Sequence, residues 1–93
     1  MNTKRKGSHN EHRSMALLEA RGYRCTRSAA SLGAWDIVGI GIDHVVLVQV
    51  KTGRMPGRAE YARLVAFRVP DNCVKMLHIW WPREQTPEEV EII

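Results

Sequence analysis

Two apolar runs, Trp35-Asp36-Ile37-Val38-Gly39-Ile40 and Val45-Val46-Leu47-Val48-Gln49-Val50-Lys51-Thr52, are separated by only four residues. This spacing constrains the chain more than any other feature. The intervening Gly41-Ile42-Asp43-His44 supplies turn chemistry, so the runs are expected to pair as a β-hairpin. Side chains alternate faces along a strand, which puts Gln49 and Lys51 on one side and Val46, Val48 and Val50 on the other. The three valines are the expected buried set. The hairpin then gathers an acid (Asp36), an amide oxygen (Gln49) and an ammonium (Lys51) beside its less apolar face. Such a set suits a divalent cation held next to a phosphate. Little else in the chain resembles a catalytic apparatus.

The rest of the chain is short enough to be organised around that hairpin. Ninety-three residues make a single domain, 1–93, with a small core. A chain of this size buries only about two-thirds of its unfolded surface, so added stability from a dimer interface is expected. No apolar run approaches the roughly 20 residues that span a bilayer. The basic N-terminus lacks the apolar stretch of a secretory signal. Cys25 and Cys73 stand far apart and outside any CxxC pattern, which points to reduced thiols rather than a disulfide or a metal site. These features together describe an intracellular protein.

Periodicity and turn residues set the remaining elements. Residues 1–7 are expected as a flexible basic tail. Ser8-His9-Asn10-Glu11 has the capping-box pattern, predicting a helix from Ser8 to about Ala20 or Arg21 with Gly22 as its C-cap. Met15 and Leu18 supply its apolar stripe, and Glu11 lies on the same face. Tyr23 to Arg27 is expected as a short strand, and Ser28 to Ala34 as a loop. After the hairpin, Gly53 to Gly57 forms a second loop. Arg58 to about Phe67 then forms a helix with Tyr61, Leu64 and Val65 inward, and Cys73 to Trp80 a core strand. Residues 83–93 form an acidic extension ending in a short strand, Val90 to Ile93. The order α-β-β-β-α-β suits an α/β domain with a central mixed sheet flanked by helices.

Charge is unevenly placed. Residues 1–35 carry seven Lys or Arg against two Glu, whereas residues 36–93 carry seven against eight acids. A clustered positive surface attracts polyanions, and counterion release makes nucleic-acid binding salt-dependent. A solvated basic end is the plainer explanation of Lys4, Arg5 and Lys6 taken alone. Arg13, Arg24, Arg27, Arg54 and Arg58 are candidates for gripping phosphates, with surface solvation as the alternative for each.

The Asp36…Gln49-x-Lys51 pattern resembles that of the PD-(D/E)xK nuclease superfamily, an Asp followed after a short strand by Glu or Gln, any residue, and Lys. More narrowly, the chain resembles archaeal-type Holliday junction resolvases. Lys6-Gly7-Ser8-His9-Asn10-Glu11 is similar to the family's opening, where a Glu of the first helix joins the active site. Arg21-Gly22-Tyr23 and Arg27-Ser28-Ala29-Ala30-Ser31 are similar to its helix end, first strand and Ser-bearing loop. The segment from Glu60 to Arg68 resembles the helix after the Lys motif, and Val74 to Trp80 the next strand. Most resolvases of this type carry Glu where this chain has Gln49.

The resemblance implies a restriction-endonuclease-like core and a metal-dependent endonuclease that resolves four-way DNA junctions by paired nicks, acting as a homodimer. It implies Mg²⁺, with Mn²⁺ as substitute, and no small-molecule cofactor. Asp36 is then the main charged ligand, Gln49 offers its amide oxygen, and Val50 its backbone carbonyl. Lys51 stabilises charge developing at phosphorus. Glu11 adds a second carboxylate, although it is equally explained as the capping partner of Ser8. Ser28 and Ser31 both resemble the family's loop serine, which touches phosphate; loop solubility is the plainer explanation of each, and the better one for Ser28. With Gln49 in place of Glu, two carboxylates rather than three face the metal, so weaker Mg²⁺ affinity and a preference for Mn²⁺ are expected. Two other functions fit the same residues. One is a superfamily nuclease cutting flaps or duplex; the other is a catalytically silent DNA-binding module.

Overall fold

The hairpin forms as the turn residues require, and the sheet grows outward from it on both sides. The computed structural model describes residues 3–28 and 32–93, with side chains from Ser8 onward. Strand β2 (Ile37–Ile40) pairs antiparallel with β3 (Val45–Thr52). The Gly41 amide donates to the His44 carbonyl across the turn at 2.8 Å. Strand β1 (Arg24–Arg27) joins β2 antiparallel, and β4 (Cys73–Trp80) joins β3 parallel. Strand β5 (Glu88–Ile92) closes the sheet antiparallel to β4, giving the order β1-β2-β3-β4-β5. The acidic extension is therefore partly an integral edge strand, begun two residues earlier than expected.

Helices cover the two faces. Helix α1 (Thr3–Ala20) lies on the face that presents Ile37, Val46 and Val48, where Leu18 completes one apolar cluster. Helix α2 (Arg58–Ala66) lies on the opposite face, where Leu64 packs with Trp35, Leu47, Leu77 and Ile79. Helix α2 is the crossover between parallel β3 and β4, as a parallel connection demands. The buried ammonium of Lys75 holds its C-terminal end, donating to the carbonyls of Leu64, Val65 and Phe67 at 2.7, 2.9 and 2.8 Å. These are the carbonyls that a helix end leaves without partners.

Four expectations are corrected. Helix α1 begins at Thr3, five residues before Ser8, so Lys4, Arg5 and Lys6 belong to its first turns rather than to a tail. The Gln49 side of β3 is not an open, less apolar face: Leu47 is buried there and α2 covers it. Strand β3 is central and sandwiched, so both faces are occupied, as is usual where parallel strands lie between helices. Val50, expected in the buried set, is only half-buried. Val65, expected inward, is exposed, because Leu64 alone on α2 is fully buried and one position along the helix turns away from the sheet.

The C-terminal end of α1 follows its glycine. Gly22 sits at φ +99, its amide bonding Glu19 and that of Tyr23 bonding Leu18, the paired bonds of a Schellman cap. The buried face of α1 is largely polar: Asn10, Ser14 and Leu18, four residues apart, point at the sheet. Ser14 Oγ accepts from Trp80 Nε1 at 2.8 Å and lies 2.9 Å from His78 Nδ1. Asn10 donates to Thr52 Oγ1 at 2.8 Å. Asn10 and Ser14 thus each meet a partner on β3 or β4. Of the two adjacent tryptophans, Trp80 is buried and Trp81 half-buried, as alternation along a strand requires.

Candidate active site

Asp36 stands at the entry of β2, where the ladder with β3 begins. Ile37 pairs with Val48, and the Asp36 amide donates to the Val48 carbonyl at 2.8 Å, so the register carries Asp36 to the level of Gln49. Its carboxylate turns back onto β3, where Oδ2 accepts from the Val50 amide at 2.7 Å. Buried Ser28 braces this entry: its amide donates to the Asp36 carbonyl at 2.9 Å, and its hydroxyl donates to the Trp35 carbonyl. Ser28 therefore serves the backbone rather than loop solubility. Ser31 lies outside the described residues.

Gln49 is 5% exposed. Its amide nitrogen donates to the Ala34 carbonyl at 3.3 Å, and its Oε1 has no hydrogen-bond partner among the described residues. A buried acceptor without a partner costs about 1–3 kcal/mol, so its retention at this position is informative. Burial, more than any other influence, raises the Asp36 carboxyl above the ordinary carboxylate range. The Val50 amide opposes this, the Glu11 carboxylate adds to it, and Lys51 and Arg27 oppose it. Glu11 on α1 and Asp36 on the hairpin are therefore close enough to repel, although they come from different elements.

Lys51 extends from the end of β3 with its side chain 13% exposed, and its ammonium is ion-paired to Glu60 of α2. Sequence reading did not single out Glu60; its only signal was position, in the first turn of the helix that follows the Lys motif. Glu11 is ion-paired to Arg27 at 2.9 Å. Arg27, a candidate phosphate contact, is thus already engaged at the site. Arg13 is likewise occupied. Its guanidinium lies 3.9 Å from the centroid of the Trp80 ring, and it donates to Asn10 Oδ1 at 3.1 Å and to the Glu84 carbonyl at 3.2 Å. It lines a cavity of about 320 Å³ with Asn10, Thr52 and Trp80. Arg54 and Arg58 are exposed, on the loop before α2 and at its first residue.

The structure thus brings Asp36, Gln49 and Lys51 to one end of β2 and β3 and sets Glu11 beside them. Among the described residues, no three His, Cys, Asp or Glu side chains gather at a common point. Any metal held at this site needs a mixed donor set. The residues fit one: a half-buried carboxylate that burial makes costly to ionise, and a neighbouring buried amide oxygen with no other partner among the described residues. Both are hard oxygen donors, of the kind that Mg²⁺ and Mn²⁺ take.

No protein-family model matches the chain, and no curated protein matches it. Among solved structures, the Holliday junction resolvase Hjc of the archaeal hyperthermophile Archaeoglobus fulgidus superposes with a TM-score of 0.66. The match covers 92% of this chain and 84% of that one, at 18% sequence identity. The chain has the fold of an archaeal Holliday junction resolvase. The restriction-endonuclease-like core read from the sequence, a mixed sheet between helices, is the architecture present. Within this resolvase fold, the match extends over nearly the whole chain rather than the hairpin alone. No helix among the described residues is long and apolar enough to cross a membrane.

Proposed function

We propose that the protein is a metal-dependent, structure-selective DNA endonuclease that resolves four-way junctions by paired nicks, and that it works as a homodimer. The observation that carries the reading is the buried Oε1 of Gln49, without a partner among the described residues, beside the burial-perturbed carboxyl of Asp36, on a resolvase fold. Asp36, Gln49 Oε1 and the Val50 carbonyl would hold Mg²⁺ or Mn²⁺, with Glu11 contributing directly or through water. When bound, the metal supplies charge neutralisation at phosphorus and lowers the pKa of the attacking water.

The chain's own residues do the remaining work. Asp36 is fixed by the Val50 amide, so its carboxylate does not reorganise as charge develops. Lys51 would meet a non-bridging phosphate oxygen and stabilise the developing negative charge. In the hydrolysis, the water oxygen bonds to phosphorus, one bridging P–O bond breaks, and the water's proton ends on the released oxygen. Gln49 brings no charge, so the site has one carboxylate fewer than a Glu at this position would give. Weaker affinity for Mg²⁺ and a preference for Mn²⁺ follow.

Binding is assigned to basic residues around this end of the sheet. Lys4, Arg5 and Lys6 stand in the first turns of α1, which has no acidic residue in its first turn. Cations there oppose the helix dipole, and phosphates nearby relieve that opposition. Arg54, Arg58, Arg13, Arg27 and Ser31 complete the proposed DNA-binding set. The chain has no obvious base-reading element, so selectivity rests on junction shape and phosphate spacing. A four-way junction offers two symmetry-related strands, and a twofold dimer presents two sites to them.

The test is a cleavage panel of labelled four-way junction, flap and linear duplex DNA with Mg²⁺ or Mn²⁺. The proposal expects paired symmetric nicks in the junction, faster with Mn²⁺, and little cutting of duplex. Preferred cleavage of flaps or duplex would assign the protein to another nuclease activity. Binding of junctions without cleavage in either metal would make it a silent module.

A further inference from the structure

Lys51 presents a problem of its own. A half-buried ammonium needs a counter-charge, because desolvating an unpaired charge is expensive. Neither neighbour on the hairpin bonds to it, although the Asp36 charge is felt at a distance. Gln49 is neutral, and the Asp36 carboxylate is turned onto the Val50 amide. The counter-charge comes from Glu60, nine residues along the chain and on a different element.

Glu60 is placed with some care. It is the third residue of α2, and its Oε1 accepts from the Gly57 amide just before the helix at 3.3 Å, while Oε2 meets Lys51. The hydrogen bond from Lys51 is the main influence holding its carboxyl below the ordinary range. The loop between the two residues is pinned as well. Gly53, at φ +71, donates its amide to the Trp80 carbonyl at 2.9 Å, which ties the end of β3 to β4. The carboxylate is therefore anchored between a strand end and a helix start, and its partner is a lysine on a flexible four-carbon stem.

We infer that Glu60 is a positioning residue for Lys51: it takes one of the three ammonium N–H groups and aims the other two at the phosphate and the attacking water. The inference rests on the nuclease reading given above. A lysine ammonium has three donors and no acceptor, so one fixed bond leaves two for the reaction. An unanchored lysine would have to lose rotamer freedom during each turnover, and that ordering cost would appear in the barrier.

The experiment compares kcat and KM for cleavage of a four-way junction in Mn²⁺ by the full chain and by Glu60→Ala, Glu60→Gln, Glu60→Asp, Lys51→Ala and the Lys51→Ala/Glu60→Ala pair. Glu60→Ala is expected to lower kcat about 10- to 100-fold, the scale of loss from misplacing a reacting group. KM is expected to stay within about two-fold, because the contact acts in the transition state rather than in substrate binding. Glu60→Asp recovers part of the loss, and Glu60→Ala adds nothing in the Lys51→Ala background. Glu60→Gln keeps the side-chain volume and guards against a folding defect in Glu60→Ala. It is expected to fall between wild type and Glu60→Ala. Full kcat in Glu60→Gln and Glu60→Ala, additive losses in the pair, a raised kcat, or a loss confined to KM would each overturn the assignment. A wild type that cuts no DNA overturns the nuclease reading and takes the assignment with it. A wild type that cuts beside unimpaired Glu60 variants overturns the assignment alone.

Discussion

Asp36 carries opposing demands in a single side chain. Burial raises its carboxyl above the unfolded value, so the folded state holds the proton more tightly than the unfolded one. The sign follows from linkage. As pH rises from the unfolded value through the folded one, the unfolded chain ionises first and stability falls. At neutral pH the ionised Asp36 is a stability cost, which a cation held at the proposed site would relieve. Asp36→Asn keeps an oxygen to accept from the Val50 amide and removes the charge. It is expected to raise the melting temperature, by about 4–8 °C for each kcal/mol recovered. On the proposed function, Mn²⁺ is expected to stabilise the wild type, and Asp36→Asn is expected to abolish that stabilisation. Thermal melts of both proteins with and without Mn²⁺ check this, and an equal or lower melting temperature for Asp36→Asn would contradict it. The site was legible at this scale only in part. Asp36, Gln49 and Lys51 showed in the spacing of two apolar runs, because a hairpin converts spacing into proximity. Glu60 did not show, because its approach to Lys51 depends on how a glycine-bearing loop and a helix start are set in three dimensions.

The seam between α1 and the sheet is held by polar contacts. Ser14 is fully buried and links Trp80 to His78, and the His78 Nε2 lies 3.3 Å from Glu89 Oε1 on β5 without the alignment of a hydrogen bond. Glu89 in turn is bridged by both terminal nitrogens of Arg21, just past the end of α1, at 2.7 and 2.8 Å. Burial pushes the His78 imidazole below its ordinary value, against the pull of Glu89. A base whose folded pKa is depressed stays neutral in the fold while the unfolded chain takes up a proton. Its effect on stability is absent above the unfolded value of about 6.5 and destabilising as pH falls below it. Urea unfolding between pH 7.5 and 5.5 is expected to show falling stability in the wild type and a flatter dependence in His78→Gln. Equal slopes would remove His78 from the seam's pH response.

The same seam explains where sequence reading of the elements stopped. Strand β4 was legible to the residue, because an apolar run after Pro70-Asp71-Asn72 has few other ways to fold. Helix α1 was not, because two of the three deeply buried residues among its described side chains are Asn10 and Ser14. Burial of polar groups is decided by partners on β3 and β4, which periodicity along the helix does not reveal. The capping-box pattern at Ser8 also proposed a start that the helix passes through.

Across the whole molecule, the sheet does two jobs with its two faces. One face packs α1 over Val46 and Val48; the other packs α2 over Leu47 and Leu77 and carries Lys51 to Glu60. The candidate site opens where β2 begins and β3 ends, and Glu11 of α1 reaches it from the first face. Of the basic first third of the sequence, Arg27 lies at this end of the sheet, whereas Arg24 sits at the far end of β1 and Arg21 is held by Glu89. The fold is that of a resolvase across nearly the whole chain, and the candidate site on it joins the buried Gln49 amide to the Lys51–Glu60 ion pair. The most direct measurement is cleavage of a labelled four-way junction in Mn²⁺ by the wild type beside Asp36→Ala. Paired symmetric nicks in the wild type, absent from Asp36→Ala while junction binding persists, are the predicted result. Cleavage that survives in Asp36→Ala, or a wild type that binds the junction and never cuts it, would contradict it.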